Sequence, residues 1–217
     1  MSRAILAGGF GGFRHYVLHR WSDVGRGDPR LDEVRDRLLA TLTGHVLEIG
    51  YADGANLSFY PDTITSLTAI DPRPGVARHP RRQVRHAPFP VDIRRATADA
   101  LPVTSASYDC VVSTFVLCSV PDLERTLAEV HRVLKPNGRL YFIEHGLSPE
   151  PSTACWQERL RRVQRLFGRP CHLTRDITAG IAQGGFEFAR IDHYYLGKTP
   201  RAAGYLCEGV ATKRESA

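Results

Sequence analysis

A chain of 217 residues is long enough to bury a sizeable core and is expected to fold as one domain. Its 42% apolar and 24% charged content excludes a disordered or fibrous chain, and no apolar run approaches the length of a membrane span. The net charge of +6 and a pI near 9.3 would suit nucleic acid, phospholipid or an acidic metabolite, and by themselves decide nothing. Five scattered cysteines without a C-x-x-C pair read as reduced thiols of a cytoplasmic protein, and the N-terminus lacks the apolar core of a secretion signal.

Residues 1–20 carry Gly8-Gly9-Phe10-Gly11-Gly12-Phe13 followed by Arg14-His15-Tyr16. Glycines this dense argue against a packed element, so residues 1–30 read as a mobile arm and cap, with aromatic rings that could close over a ligand. Asp28-Pro29 starts a helix whose buried face is Leu31, Val34, Leu38 and Leu42. The stretch Val46-Leu47-Glu48-Ile49-Gly50-Tyr51-Ala52-Asp53-Gly54-Ala55-Asn56 then reads as a buried strand, a tight glycine turn and the start of a helix. Glycine lets backbone press against a ligand, and a helix start offers free N–H groups to an anion. Asp71 closes the second strand, Thr65–Ile70, about twenty residues on, where a carboxylate can accept from ribose hydroxyls. A buried turn that holds no ligand is the plainer alternative.

Residues 73–95 are the most basic stretch, broken by Pro74, Pro80, Pro88 and Pro90, and read as a solvated face rather than a polyanion groove. Tyr108–Phe115 is a β-branched strand. Helix 121–135 has Pro121 and Asp122 at its start, a Leu123, Leu127, Val130 and Leu134 stripe, and Lys135-Pro136-Asn137-Gly138 at its end. Arg139–His145 is the next strand, ending in Glu144-His145. Residues 148–172 interrupt the alternation with a basic amphipathic helix whose apolar face is Trp156, Leu160, Val163 and Phe167. Such a helix could pack on the domain, form a lid, or rest on a membrane surface. Thr174 is expected to cap a further helix that Gly184-Gly185 stops, and Phe186–Leu196 and Gly204–Lys213 read as two closing strands. Strands alternating with helices make an α/β fold with a mostly parallel sheet covered on both faces.

The ordered set Val46-Leu47-Glu48-Ile49-Gly50, Ala69-Ile70-Asp71-Pro72, Ala98-Asp99-Ala100-Leu101-Pro102, Tyr108-Asp109-Cys110-Val111-Val112 and Arg132-Val133-Leu134-Lys135-Pro136-Asn137-Gly138 resembles the class I S-adenosylmethionine-dependent methyltransferases. Leu117-Cys118-Ser119-Val120-Pro121-Asp122, Glu144-His145 and Cys171-His172-Leu173-Thr174-Arg175-Asp176 are similar to small-molecule methyltransferases related to the alkyl-thiol S-methyltransferases. The resemblance implies a single-domain Rossmann-like fold over 31–217, with a seven-stranded sheet in the order 3-2-1-4-5-7-6 and its last strand antiparallel. It implies S-adenosylmethionine as cofactor, with Glu48, Gly50 and Gly54 forming the first motif and Asn56 nearby. Asp71, with Pro72 beside it, would hold the ribose. Asp99 would take the adenine amino group between Ala98 and Ala100, while Thr114 and Phe115 line the path to the methyl. Two departures stand out. Tyr51-Ala52-Asp53 replaces the middle of the usual G-x-G-x-G, so Tyr51 either crowds the pocket or helps hold the cofactor. Pro200-Arg201-Ala202-Ala203-Gly204 stands where relatives carry P-H-x-x-G.

Methyl transfer is an in-line displacement that needs alignment and exclusion of water, and a thiol acceptor must also lose its proton. His145, at a strand's carboxyl edge, is the expected base, with Tyr16 and His172 as candidate contacts to a small acceptor. Cys118 and Cys171 with the histidines could suggest a metal, but their spacing matches no zinc pattern, and none is expected. A thiol acceptor is the first expectation; O- or N-methylation of an aromatic metabolite, quinone precursor or phospholipid, and a module that binds cofactor without turnover, are the alternatives. RNA methylation would use the basic stretch, and a nicotinamide oxidoreductase is disfavoured by the missing glycine pattern.

Overall fold

Alternating apolar residues lay down the sheet, and the side to which each points decides which helices cover it. The computed structural model describes residues 28–73, 84–166, 171–197 and 199–214; residues 1–27 of the arm and cap expected over 1–30, with Tyr16, and Phe167 of the expected apolar helix face lie outside them. Seven strands, β1 (Gly44–Ile49), β2 (Ile64–Asp71), β3 (Val91–Arg95), β4 (Tyr108–Thr114), β5 (Leu134–His145), β6 (Phe186–Tyr195) and β7 (Tyr205–Lys213), form one sheet. Their order is β3-β2-β1-β4-β5-β7-β6, with β7 antiparallel to both neighbours and β1 to β5 parallel, as expected.

Val46, Val112, Tyr141 and Ile143 face α1 (Pro29–Leu39), which buries Leu31, Leu38 and Leu39 against them. The residues between them, Leu47, Ile49, Val111, Leu140 and Phe142, face the opposite way. There they meet Leu127 and Val130 of α2 (Leu123–Val133). A third helix, α3, spans Pro151–Leu166, a fourth, α4, spans Ile177–Gln183, and a short α5 spans Arg201–Gly204.

The structure departs from the sequence reading at five places. The turn after β1 feeds only a 3-10 turn, Leu57–Phe59, rather than a helix. Pro61 explains this: the residue before proline is pushed out of the helical region, and Tyr60 has ψ 130°. The third strand lies inside the basic stretch, as an edge strand in which Arg94 pairs with Asp92 and Arg95 donates to the Pro72 carbonyl. α2 stops at Val133, and Leu134 already pairs with Tyr108. Lys135–Gly138 then bulge from β5 before Arg139 pairs with Cys110, with Asn137 at φ +61°. Asp176, not Thr174, caps α4, its carboxylate accepting from the Ala179 amide at 2.9 Å. Finally, α3 turns Thr153 and Gln157 inward and leaves Trp156 57% exposed beneath the Arg159 guanidinium. Gln157 wins that position because its amide serves two backbone groups beyond β5, the Ser148 N–H and the Gly146 carbonyl.

Candidate functional site

At the carboxyl edge of the sheet the chain leaves β1 through a strained turn. Gly50 sits at φ +73°, and a Cβ there would come within 2.1 Å of Val116 Cγ2, so only glycine fits between the two loops. Ala52 also holds a left-handed backbone, φ +47°, where its N–H donates to Asp71 Oδ2 at 3.0 Å. The Arg73 N–H takes Asp71 Oδ1 at 2.7 Å, so the carboxylate is oriented before any ligand arrives. Tyr51 folds over Gly54, where a Cβ would meet its hydroxyl at 2.6 Å, and lies on the wall of an open cleft of about 520 Å³. That size is in the range of small-molecule sites.

Glu48, Gly50, Tyr51, Asn56, Asp71, Pro72, Ala98, Asp99, Thr114 and Phe115 all line this one cleft. Gly54 supports Tyr51 from below, and Ala100 is exposed without lining it. His145 and His172 are also absent from the wall, as are residues 148–161; α3 instead packs beside α5.

The floor of the cleft carries buried polar atoms that the described residues leave unmatched. Asn56 Nδ2 donates to Glu48 Oε1 at 2.8 Å and to Thr114 Oγ1 at 3.1 Å; Asn56 Oδ1 and the Tyr51 hydroxyl have no hydrogen-bond partner among the described residues, and for Glu48 Oε2 the only group offered among them is the buried Tyr60 hydroxyl. Arg35 reaches the same cleft from α1, and its Nε is likewise unmatched although Nη1 donates to Asp32 at 2.9 Å. Burial pushes the Glu48 carboxyl up to about 7, against the lowering pull of hydrogen bonds from Asn56 and Tyr60 and of the Arg35 charge. Burial also pushes the Tyr51 phenol up to about 12, so its hydroxyl stays a neutral donor. The sequence reading missed Arg35. The available signal was a charged residue on the buried face, four after Leu31 and three before Leu38.

The loop after β4 is built differently. Phe115 turns it at φ +58°, and the Glu144 carboxylate gathers the N–H groups of Val116, Leu117 and Cys118 at 2.9–3.0 Å with the Ser113 hydroxyl at 2.7 Å. Arg175 Nη1 donates to the carbonyls of Leu117 and Val120 at 2.7 and 2.9 Å. His172 enters through its backbone, donating its N–H to the Cys118 carbonyl at 2.7 Å. His145 lies behind the cleft wall, its ring 4.7 Å from that of Phe115, with Nδ1 toward Cys118 and Cys171. Glu144 and Arg175 stood out in the sequence only as members of motifs that carry the family resemblance, without a role attached to either.

Residues 47–142 match a methyltransferase domain family. Human thiol S-methyltransferase TMT1A is 37% identical over 153 residues, and rat thiol S-methyltransferase TMT1B 35% over 151. Each alignment covers 68% of this chain and 62% of the relative, so the chain spans less than two thirds of those proteins. A solved structure of Burkholderia thailandensis 1,6-didemethyltoxoflavin-N1-methyltransferase, with S-adenosylhomocysteine bound, superposes with a TM-score of 0.67 at 16% identity. It covers 99% of this chain and 94% of its own, which speaks to the fold. By its domain match, its relatives and its strand order, the chain belongs to the class I S-adenosylmethionine-dependent methyltransferases.

Proposed function

We propose that this chain moves a methyl group from S-adenosylmethionine to a small, partly apolar acceptor, with a thiol as the accepting group. One observation carries the reading: a single cleft gathers unmatched buried atoms of both hydrogen-bonding senses, two carboxylates farther along, and an apolar end. Asn56 Oδ1 and the Glu48 carboxyl, which keeps lone pairs beyond the Tyr60 hydroxyl, are acceptors suited to an ammonium, and Arg35 Nε is a donor suited to a carboxylate, which together describe an amino-acid zwitterion. Asp71, fixed by the Ala52 and Arg73 amides, keeps lone pairs for a ribose diol, and Asp99 is assigned to the base. The cofactor supplies an electrophilic methyl on a sulfonium sulfur.

Phe115, Val116, Val120 and Pro121 form the apolar part of the wall, which favours a small hydrophobic acceptor and keeps water from its nucleophilic atom. The relatives named thiol S-methyltransferases support sulfur as that atom. His145, the base expected from sequence, is assigned a place one ring behind this wall, so it serves the acceptor only when Phe115 moves aside. Calorimetry with S-adenosylmethionine and mass spectrometry after incubation with an alkyl thiol, a phenol and an amine test the reading. Micromolar association and a product about 14 Da heavier from the thiol are the expected results, the mass step being a hydrogen replaced by methyl and the affinity about −8 kcal/mol. No heat of association in folded protein would defeat the cofactor assignment; methylation of the phenol or amine alone would defeat the thiol.

A further inference from the structure

β4 and β5 end side by side, and the segment after α3 crosses both ends, so three soft ligand atoms distant in sequence converge. Cys118 Sγ and Cys171 Sγ are 3.8 Å apart, and His145 Nδ1 lies 3.7 Å from each. Two metal–sulfur bonds of about 2.3 Å at the tetrahedral angle hold their sulfurs about 3.8 Å apart, with a bound nitrogen about 3.6 Å from each. The triangle therefore has the dimensions of one face of a tetrahedral metal site. We propose that Cys118, His145 and Cys171 bind one thiophilic divalent cation of the zinc type, leaving the fourth position to an exogenous ligand.

The surroundings hold these atoms in place without a metal. The Cys118 amide is fixed by Glu144 Oε2 at 3.0 Å and its carbonyl by the His172 N–H, so the backbone next to Cys171 is tied to the Cys118 loop. Ser119 Oγ lies 3.4 Å from Cys118 Sγ and donates to the Phe115 carbonyl at 3.3 Å, a proton it could turn to a thiolate, and the Phe115 ring covers His145. Two thiolates and a neutral imidazole suit zinc better than magnesium or calcium, which take oxygen ligands. Binding breaks two S–H bonds, forms two metal–sulfur bonds and passes two protons to the buffer, with no electron transferred. The ligands stand 27 and 26 residues apart, far outside the short pairs of zinc motifs, so spacing alone does not reveal them.

The test uses the full chain, tag-free, fully reduced and metal-depleted, titrated with zinc and separately with cobalt(II). We expect one equivalent of zinc to survive gel filtration with about two protons released, and cobalt to give thiolate charge-transfer and intense tetrahedral d–d bands. Cys171→Ser and His145→Ala should each weaken binding about a hundredfold or more, while Cys155→Ser, at an exposed thiol, should leave it intact. Failure of the reduced wild-type chain to retain zinc would overturn the proposal, as would unchanged retention in Cys171→Ser. The wild-type cobalt spectrum decides the matter even if a variant does not fold: octahedral, sulfur-free absorption would reject it. None of these readouts depends on methyl transfer.

Discussion

After β1 the chain turns through Gly50–Asn56, and after β4 it turns through Phe115–Val120; both loops leave the same edge of the sheet and touch across Gly50 and Val116. The second satisfies its polar groups within the protein. The amides of Val116, Leu117 and Cys118 end on Glu144, the carbonyls of Leu117 and Val120 on Arg175, and that of Cys118 on the His172 N–H. The first leaves buried atoms of Tyr51 and Asn56 unmatched among the described residues, beside Arg35 Nε and the Glu48 carboxyl, and holds Ala52 in a backbone region that alanine rarely takes. An unmatched buried polar atom costs about 1–3 kcal/mol, so a wall carrying several gives up stability for readiness to bind. The contrast separates a loop that positions from a loop that waits for a ligand.

Breaking the positioning loop should have the largest effect. Glu144→Ala strands three amides and a hydroxyl in the core and should cost about 3–5 kcal/mol in urea denaturation, with loss of cofactor binding because Val116 no longer supports Gly50. A loss under about 1 kcal/mol would mean the clamp is dispensable.

Glu48 sharpens the other side of the comparison. Its carboxyl titrates near 7 in the folded chain against an ordinary value of 4.5, so the folded chain binds the extra proton between those values. The stability it contributes is full below about pH 4.5 and is lost as pH rises through 7, amounting to about 3 kcal/mol. Glu48→Gln should flatten that slope in chemical denaturation and stabilise the ligand-free protein at about pH 8, while weakening cofactor binding at least about tenfold. In the wild type, cofactor affinity should rise as pH climbs toward 7, because an ammonium needs the ionised carboxylate. A pH-independent affinity would remove Glu48 from the site.

Ala52→Gly is the mildest change. Relief of the left-handed alanine should raise stability by about 0.5–1 kcal/mol, read as a melting shift of a few degrees, with cofactor affinity unchanged or slightly improved. A destabilised Ala52→Gly would show that the turn is not strained there.

The apolar runs of β1, β4 and β5, the capped α2 and the carboxylate at 71 were legible in the sequence, and the family resemblance pointed to the carboxylate at 99. They depend on local geometry, or on a spacing that the parallel sheet preserves. The helix after β1 was misread because the glycine turn suggested it, while the effect of Pro61 on Tyr60 lay a few residues farther on. β3 was hidden because an edge strand with one half-buried face carries charges that look like a solvated run. The face of α3 was assigned from hydrophobicity, whereas unpaired backbone groups beyond β5 drew Gln157 inward instead of Trp156.

By itself the sequence determined the strand-and-helix alternation and the glycine turn, because those follow from contacts between near neighbours and from a repeated chain pattern; its family resemblance added part of the cleft wall. Only the tertiary structure decided which buried polar atoms stay unmatched, that Arg35 reaches the cleft from α1, and that His145 faces two thiols from behind Phe115. The physical reason is the same in each case. Hydrogen-bond partners and side-chain triangles are set where strands far apart in the chain end side by side, and that adjacency exists only once the sheet has formed.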